Sequence, residues 1–247
     1  MRRDTHRGRP DIKPYSDLSD FKDIHVGRRC FVVGAGPTLA FQDISSLRND
    51  VVITVNSSIL LLDWSVGEST DRYWISNDTL CLQWDYFWQK VLQGCCQKIV
   101  RTSWKEHADK VMKHNFRFFK PRPTPVVSPL SNDGQALCSV SSIPTAVDFA
   151  LLTGCNEIYL LGVDHKILYG NSHFWQFWPK DKWPQRKSKG KNFRPEQSHQ
   201  VRKFDENIQS YEVLKELGDR VGAKIYNCSN PSIIDVFEKK KLSEVIT

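Results

Sequence analysis

Short apolar runs alternate along this chain with stretches of helical length, and this alternation is its strongest structural constraint. The apolar runs have the length of buried strands, and several end in glycine, serine or asparagine. They cover residues 28–33, 51–55, 73–76, 98–101, 157–161 and 224–227. Strands separated by helices favour a parallel sheet covered on both faces. The sequence therefore predicts an α/β fold with a Rossmann-like, mostly parallel sheet and helices on both faces.

Helices are predicted in three places, beginning with residues 79–92, which have helical length. Ser142 can cap the start of a second helix, which has Pro144 in its first turn and Gly154 at its end. Spacings of three and four place on its apolar face Ile143, Ala146, Val147, Ala150 and Leu151. The last helix has an apolar face formed by Ile208, Tyr211, Leu214, Leu217 and Val221. Residues 119–133 contain four prolines and predict an irregular connection.

The chain has the length of one large α/β domain. We expect a flexible basic arm over residues 1–20 and a single Rossmann-like domain over 21–247, with an insertion at 165–204. Residues 179–203 contain nine Lys or Arg and two acids, so this segment accounts for the whole net charge of +7. Such local charge makes nucleic acid a disfavoured partner, although a nucleic-acid-binding module stays open as a second alternative.

The cysteines and the hydropathy of the chain indicate the cellular compartment in which the protein is expected. The seven cysteines lack metal-site spacing and predict buried, reduced thiols. No apolar run approaches the roughly 20 residues of a membrane span, and residues 1–10 do not resemble a signal peptide. We therefore expect a cytoplasmic protein, with peripheral association at the membrane left open. The oligomeric state is also open, and a homo-oligomer remains compatible with the sequence.

A glycine turn follows the first predicted strand, in the segment Val32-Val33-Gly34-Ala35-Gly36-Pro37-Thr38. Glycines at such a place let the backbone approach a phosphate or ribose, and the following helix start offers free N–H groups. The segment departs from the dinucleotide fingerprint, because Leu39 replaces its third glycine and Asn56 replaces the acid after the second strand. A nucleotide is therefore favoured over a redox dinucleotide.

Polar side chains stand at the ends of several predicted strands. The groups are Asn56-Ser57-Ser58, Asn77-Asp78, residues 139–142 and Gly162-Val163-Asp164. Because the carboxyl ends of parallel strands meet at one edge of a sheet, we expect these groups to converge on a ligand. Short amides and hydroxyls there can recognise a base and a sugar without adding charge.

The insertion combines its basic residues with aromatic and imidazole side chains: His165, Tyr169, His173, Trp175, Trp178, Trp183 and His199. This mixture suits a lid over an anionic donor, or an acceptor site for sugar rings. A histidine in such a lid can act as a general base near neutral pH.

Several of these segments together resemble one superfamily. They are the turn at 34–39, Asn56-Ser57, the block from Ser142 to Asp164, Ser172-His173-Phe174, and the closing segments 223–227 and 235–237. The superfamily contains the MptE-like hydroxymethylpterin pyrophosphokinase family and the family 42 bacterial sialyltransferases. The resemblance spans residues 28–240, and its most specific part is the helix–Gly–strand–Gly-x-Asp block.

The sialyltransferase branch implies a CMP-linked sugar as donor, no essential metal, and a histidine after the lid as the base. His199, which precedes the predicted last helix, is the nearest match to that histidine. Lys166 and His173 fall near positions where those enzymes have tyrosines. The pyrophosphokinase branch implies ATP and magnesium, with Asp78 and Asp164 as metal partners.

The leading hypothesis is a nucleotide-dependent transferase, a sialyltransferase-like glycosyltransferase that uses a nucleotide sugar in surface glycan synthesis. Its partners would be a nucleotide donor and a glycan or small-molecule acceptor. His199 is the preferred candidate for the base that takes the proton of the acceptor hydroxyl, and His173 is the preferred candidate for contacting the substrate. The predicted nucleotide-binding residues are Gly34, Ala35, Gly36, Pro37, Thr38, Asn56, Ser57, Asn77, Asp78, Ser142, Gly162 and Asp164. The alternative is an MptE-like pterin pyrophosphokinase.

Overall fold

A sheet of nine parallel strands forms the centre of the described structure. The computed structural model describes residues 18–47, 50–62, 71–94, 96–107, 116–122, 135–137, 141–187 and 197–246, with only the backbone described for 197–206. The strands are β1 Arg29–Val33, β2 Val51–Val55, β3 Arg72–Ser76, β4 Gln97–Arg101, β5 Phe116–Arg122, β6 Gln135–Leu137, β7 Glu157–Leu161, β8 Lys224–Asn227 and β9 Glu238–Lys239. Their order across the sheet is β6-β5-β4-β3-β2-β1-β7-β8-β9.

The strand order reverses at β1. Strands β2 to β6 extend from one side of β1, whereas β7 to β9 extend from its other side. Val33, the last residue of β1, is in register with Thr54 of β2 and Leu161 of β7. Loops that leave β1 and β7 therefore diverge at a topological switch point, which is where open α/β sheets bind ligands.

Side chains of the central strands alternate between two separate hydrophobic clusters, one on each face of the sheet. Cys30 and Val32 belong to the first cluster, whereas Phe31 and Val33 belong to the second. Two α-helices, α1 (Ile143–Leu152) and α2 (Gln197–Val221), pack into the first cluster. The second cluster is covered by 3₁₀ helices at Pro37–Phe41, Asn56–Leu61, Thr79–Gln83 and Thr102–His107 and by a π-helical turn at Phe87–Val91. The predicted fold class, with helices on both faces, is confirmed.

Helix α1 forms as its sequence predicts. All of its residues are buried, Pro144 stands in its first turn, and Gly154 follows its end with φ of +85°. In α2, Tyr211, Leu214 and Leu217 are buried, and each contributes roughly 1.5–3 kcal/mol by leaving water. The last residue of the predicted apolar face, Val221, is instead 49% exposed because the helix ends there.

Two segments differ from the prediction. Residues 79–92 form a 3₁₀ helix and a π-helical turn rather than one α-helix. The segment predicted as an irregular connection begins inside β5, where Pro121 is in register with Ala136 of β6. Proline is rare within strands that pair on both sides, so Pro121 argued against a strand at this position in the sequence. The described cysteines, Cys30, Cys81, Cys96, Cys155 and Cys228, are buried free thiols.

The limits of the description leave part of the predicted organisation open. Residues 1–17 of the predicted arm and 188–196 of the insertion lie outside the described residues. Leu18 and Phe21, at the ends of a short 3₁₀ helix, are buried in the first cluster. Within the described part of the chain, no helix is both long and apolar enough to span a bilayer.

Candidate functional site

A cleft of about 150 Å³ opens at the carboxyl edge of the sheet, beside the ends of β1, β2 and β3. Its volume is below the roughly 300–1,000 Å³ of most ligand pockets. The lining combines amides, hydroxyls, aromatic rings, one guanidinium, one imidazole and one carboxylate. The lining residues are Ala35, Asn56, Ser57, Asp78, Leu80, Cys81, Trp84, Tyr86, Ser172, His173, Trp175, Gln176, Pro184 and Arg186.

Asn56 forms the floor of the cleft in a backbone conformation unusual for a side-chain-bearing residue, with φ of +51°. Its carbonyl oxygen accepts a hydrogen bond of 2.9 Å from Trp74 Nε1, and its Oδ1 accepts one of 2.8 Å from Ser76 Oγ. Ser142 Oγ lies 3.4 Å from the same Oδ1. The polar groups after β2 and β3 therefore contact Ser142 and hold one another in place, whereas the predicted group at Gly162-Val163-Asp164 bonds to Thr38 instead.

Asn77 and Ser142 lie behind this floor rather than in the cleft lining. The backbone N–H of Asn77 donates to Ser142 Oγ at 3.0 Å, and its Nδ2 donates to Thr145 Oγ1 at 3.0 Å. Ser142 occupies the N-cap position of α1, but its side chain makes no capping bond within the helix. Both residues thus join the end of β3 to the start of α1, and the capping role predicted for Ser142 was wrong.

The glycine turn packs against the end of β7. The N–H of Gly34 donates to the Leu161 carbonyl at 2.7 Å, and that of Gly36 donates to the Gly162 carbonyl at 2.8 Å. A Cβ on Gly36 would lie 2.5 Å from the Gly162 oxygen and 2.8 Å from Asp164 Cγ. The space beside Gly36 is therefore filled by the protein, and Ala35 is the residue of this turn that lines the cleft.

Asp164 fixes the segment that follows the turn. Its Oδ2 accepts a 2.8 Å hydrogen bond from the backbone N–H of Thr38, and its Oδ1 accepts another from the Thr38 hydroxyl. The carboxyl group is 1% exposed, and this burial raises its pKa to about 6 although the bonds from Thr38 oppose the shift. Asp164, Thr38 and the buried Pro37 thus anchor the loop that holds Ala35, and Gly162 provides the turn after β7 with φ of +61°.

His173 enters the cleft from the insertion. Its Nδ1 lies 2.9 Å from Ser172 Oγ, which in turn lies 3.3 Å from Gln176 Oε1. Gln176 Oε1 also accepts the backbone N–H of His173 at 2.8 Å. A hydroxyl that donates to Gln176 can accept Nδ1–H from the imidazole, which leaves Nε2 as the basic nitrogen. The ring also packs against Trp175, with centroids 5.4 Å apart.

The following residues of the insertion close one side of the cleft. Arg186 donates through Nε to Gln83 Oε1 at 2.7 Å, and the backbone of this segment pairs with residues 83–85. Trp175 contacts both Trp84 and Trp183. These contacts join the insertion to the segment after β3 and place a guanidinium beside two indole rings. They also explain the small volume of the cleft.

Asp78 and Asp164 were predicted as metal partners in the pyrophosphokinase alternative, but the structure places them in different surroundings. Asp78 lines the cleft, where its Oδ1 accepts the Leu80 N–H at 2.8 Å. Asp164 is buried against Thr38 instead. Among the described residues, no three His, Cys, Asp or Glu side chains cluster in a way that could hold a metal ion.

His199 lies within the first turn of α2, which begins at Gln197, and not before the helix as the sequence predicted. Its side chain is among those outside the described set. The residues that sequence reasoning missed include Leu80, Cys81, Trp84 and Tyr86, which fall in a stretch predicted as an ordinary helix, and Gln176 and Pro184 of the insertion. The position of the first four along the chain could have identified them, because the segment after β3 lies at the carboxyl edge of the sheet, where ligands bind.

Comparisons with known proteins find similar folds in crystal structures of a sialyltransferase, CstII from Campylobacter jejuni. The complex with the substrate analogue CMP-3FNeuAc is 14% identical, with 86% of this chain and 85% of that chain aligned at a TM-score of 0.46. The complex with cytidine-5′-monophosphate is 16% identical, with 87% of this chain and 85% of that chain aligned, and its TM-score is also 0.46. A complex with a trisaccharide acceptor and CMP is 16% identical, with 86% of this chain and 85% of that chain aligned at a TM-score of 0.46. No family model matches the chain, and no curated protein does.

Proposed function

We propose that this protein is a nucleotide-dependent transferase, and specifically a glycosyltransferase that moves a sugar from a CMP-linked donor to a glycan or small-molecule acceptor. The observation that carries the proposal is the composition of one cleft, in which a guanidinium, an imidazole and indole rings surround neutral amides and hydroxyls beside a single carboxylate, Asp78. The sequence resemblance to sialyltransferases favours the same donor. The buried free thiols suit reaction in a reducing compartment such as the cytoplasm.

Donor binding would use the two walls of the cleft. Trp84 and Trp175 offer ring faces to a base, and Asn56 and Ser57 offer polar groups to a base or ribose. Arg186 supplies one positive charge, which matches the one phosphate group of a nucleoside monophosphate leaving group. Because the cleft is small, the segment that carries Arg186 must move away from Gln83 when the whole donor enters.

In the transfer step, His173 Nε2 would take the proton of an acceptor hydroxyl. The hydroxyl oxygen then forms a bond to the anomeric carbon, while the bond from that carbon to the phosphate oxygen breaks and its electron pair stays on the phosphate. Arg186 stabilises that charge. We assign the proton to His173 because it lines the cleft and Ser172 orients its ring. Ser172 and Gln176 are positioning residues.

The test follows the intrinsic tryptophan fluorescence of the protein, to which Trp84 and Trp175 contribute among eight tryptophans, during titration with CMP, CDP, UDP, GDP and ATP, each with and without magnesium. We expect CMP to bind most tightly and without a metal requirement. Arg186→Gln should weaken CMP binding roughly 10- to 100-fold, the loss expected for a charge-assisted hydrogen bond. The matched control is Lys182→Gln, an exposed cation in the same segment that does not line the cleft.

Tight binding of ATP only with magnesium would instead favour the pyrophosphokinase alternative. Absence of binding by every nucleotide, or equal losses in Arg186→Gln and Lys182→Gln, would contradict the proposed site.

A further inference from the structure

An exposed aromatic cluster lies next to the cleft. It consists of Phe41, Phe177 and Tyr169, whose rings meet edge to face with centroids 5.1 Å apart for Phe41–Phe177 and 6.5 Å for Tyr169–Phe177. Phe41 is 64% exposed and Tyr169 is 83% exposed. Large apolar rings grouped at the surface indicate an interaction site rather than part of the core.

The backbone presents this cluster in a defined way. Leu168 and Asn171 exchange two backbone hydrogen bonds of 2.9 Å around Tyr169 and Gly170, both of which have positive φ. This is the geometry of a tight two-residue hairpin, and it holds the Tyr169 ring at its tip. Phe177 ends the 3₁₀ helix Phe174–Phe177, whose Trp175 and Gln176 line the cleft. The cluster and the cleft are therefore parts of one surface region.

Exposed lysines lie close along the chain to Tyr169 and Phe177, whereas the exposed residue closest along the chain to Phe41 is an acid, Asp43. Between residues 165 and 187, the insertion contains five Lys or Arg and one acid, Asp181. Lys166 is exposed three residues before Tyr169, and Lys180 and Lys182 are exposed shortly after Phe177. Exposed aromatic rings flanked by lysines match the chemistry of a bilayer interface, where rings enter the headgroup layer and lysines contact lipid phosphates.

We propose that the surface formed by Phe41, Tyr169, Phe177 and the lysines Lys166, Lys180 and Lys182 docks on a membrane that contains anionic lipids. Neither feature alone gives stable binding, because peripheral association needs an apolar and an electrostatic contribution together. Docking through this surface brings the rim of the cleft to the bilayer, where an acceptor attached to lipid would lie. The docking itself does not depend on the proposed transferase activity.

Sedimentation with vesicles tests the proposal directly. Full-length protein is mixed with vesicles of phosphatidylcholine alone, or of phosphatidylcholine with phosphatidylglycerol, and the bound fraction is measured. We expect binding only to the anionic vesicles. Tyr169→Asn, which suits the positive φ of the turn, should weaken it roughly tenfold through the lost ring. Lys180→Gln and Lys182→Gln should each weaken it roughly fivefold.

Matched controls lie elsewhere on the surface: Ile233→Ser removes an exposed apolar side chain, and Lys215→Gln removes an exposed lysine of α2. Both should bind as wild type does. Thermal unfolding checks that each variant is folded. The proposal is overturned if the protein ignores anionic vesicles, or if the controls weaken binding as much as Tyr169→Asn.

Discussion

Thr38 donates both its backbone N–H and its hydroxyl to the carboxylate of Asp164. The two residues follow adjacent strands, β1 and β7, at the switch point of the sheet. The pair therefore closes the space where many α/β proteins admit a ligand between such loops, and the open cleft lies on the β2 and β3 side of Ala35 instead.

The buried carboxyl group of Asp164 should make stability depend on pH. Its pKa is raised from 3.8 to about 6 by burial, so the folded state binds this proton more readily than the unfolded state. The stability it contributes is present in full below pH 3.8 and is lost as pH rises through 6, a change of about 3 kcal/mol. Urea unfolding of wild type and Asp164→Asn at several pH values measures it. If the difference between the two proteins does not change with pH, Asp164 is not the titrating group.

Gly36→Ala should destabilise the protein by roughly 1–3 kcal/mol, because the new methyl group meets the Gly162 carbonyl and the Asp164 carboxylate. Gly218→Ala is the control, since its Cβ would lie 3.3 Å from the Ala223 carbonyl and the helix gains up to about 1 kcal/mol in propensity. Urea denaturation compares the two. A Gly36→Ala protein as stable as Gly218→Ala would show that the turn can move away from β7.

Asn56→Ala and Asn56→Gly should both lose stability, because each removes the acceptor of the Ser76 hydroxyl. The alanine variant should be the less stable by about 1 kcal/mol, since φ at this position is +51° and glycine adopts such values without strain. The difference in their urea midpoints therefore measures backbone strain separately from the lost side chain. Equal midpoints would mean that the turn relaxes to a negative φ.

His173→Ala should slow sugar transfer by roughly 10²–10⁴-fold and leave CMP affinity nearly unchanged, as removal of a general base does. His199→Ala should retain most of its turnover. Donor hydrolysis and fluorescence titration give the two readouts on the same samples. Loss of turnover in His199→Ala alone would identify His199 as the general base, as the sequence analysis ranked it.

Arg122 and Asp148 form a buried ion pair in which Nη2 lies 2.6 Å from both carboxylate oxygens. Burial raises the pKa of Asp148 even though Arg122 opposes the shift. Arg122→Met should cost about 3–5 kcal/mol, because it leaves this acid without its counterion. The double variant with Asp148→Asn should recover part of that loss while keeping an acceptor for the Leu137 N–H. A double variant less stable than Arg122→Met would contradict this explanation.

Local patterns predicted the features that depend on neighbouring residues. Strands β1, β2, β3, β4, β7 and β8 were predicted from apolar runs within each strand, and helix α1 from its apolar face, Pro144 in its first turn and Gly154 just after its end. The contacts of Asn56 and Asn77 with Ser142 agree with the proximity that parallel topology predicts for these strand ends. Contacts between distant segments could not be predicted, because no local pattern records that Asp164 fills the space beside Gly36 or that Arg186 meets Gln83.

The position of β1 at the centre of the sheet also governs how the chain can assemble. One edge of β1 pairs with β2, which follows it closely, but the other pairs with β7, which follows six other strands in the chain. During synthesis, the N-terminal strands emerge while that second edge still exposes unpaired backbone groups. A ribosome-bound fragment ending before Glu157 therefore exposes an apolar strand edge, the kind of surface on which chaperones act and aggregation begins.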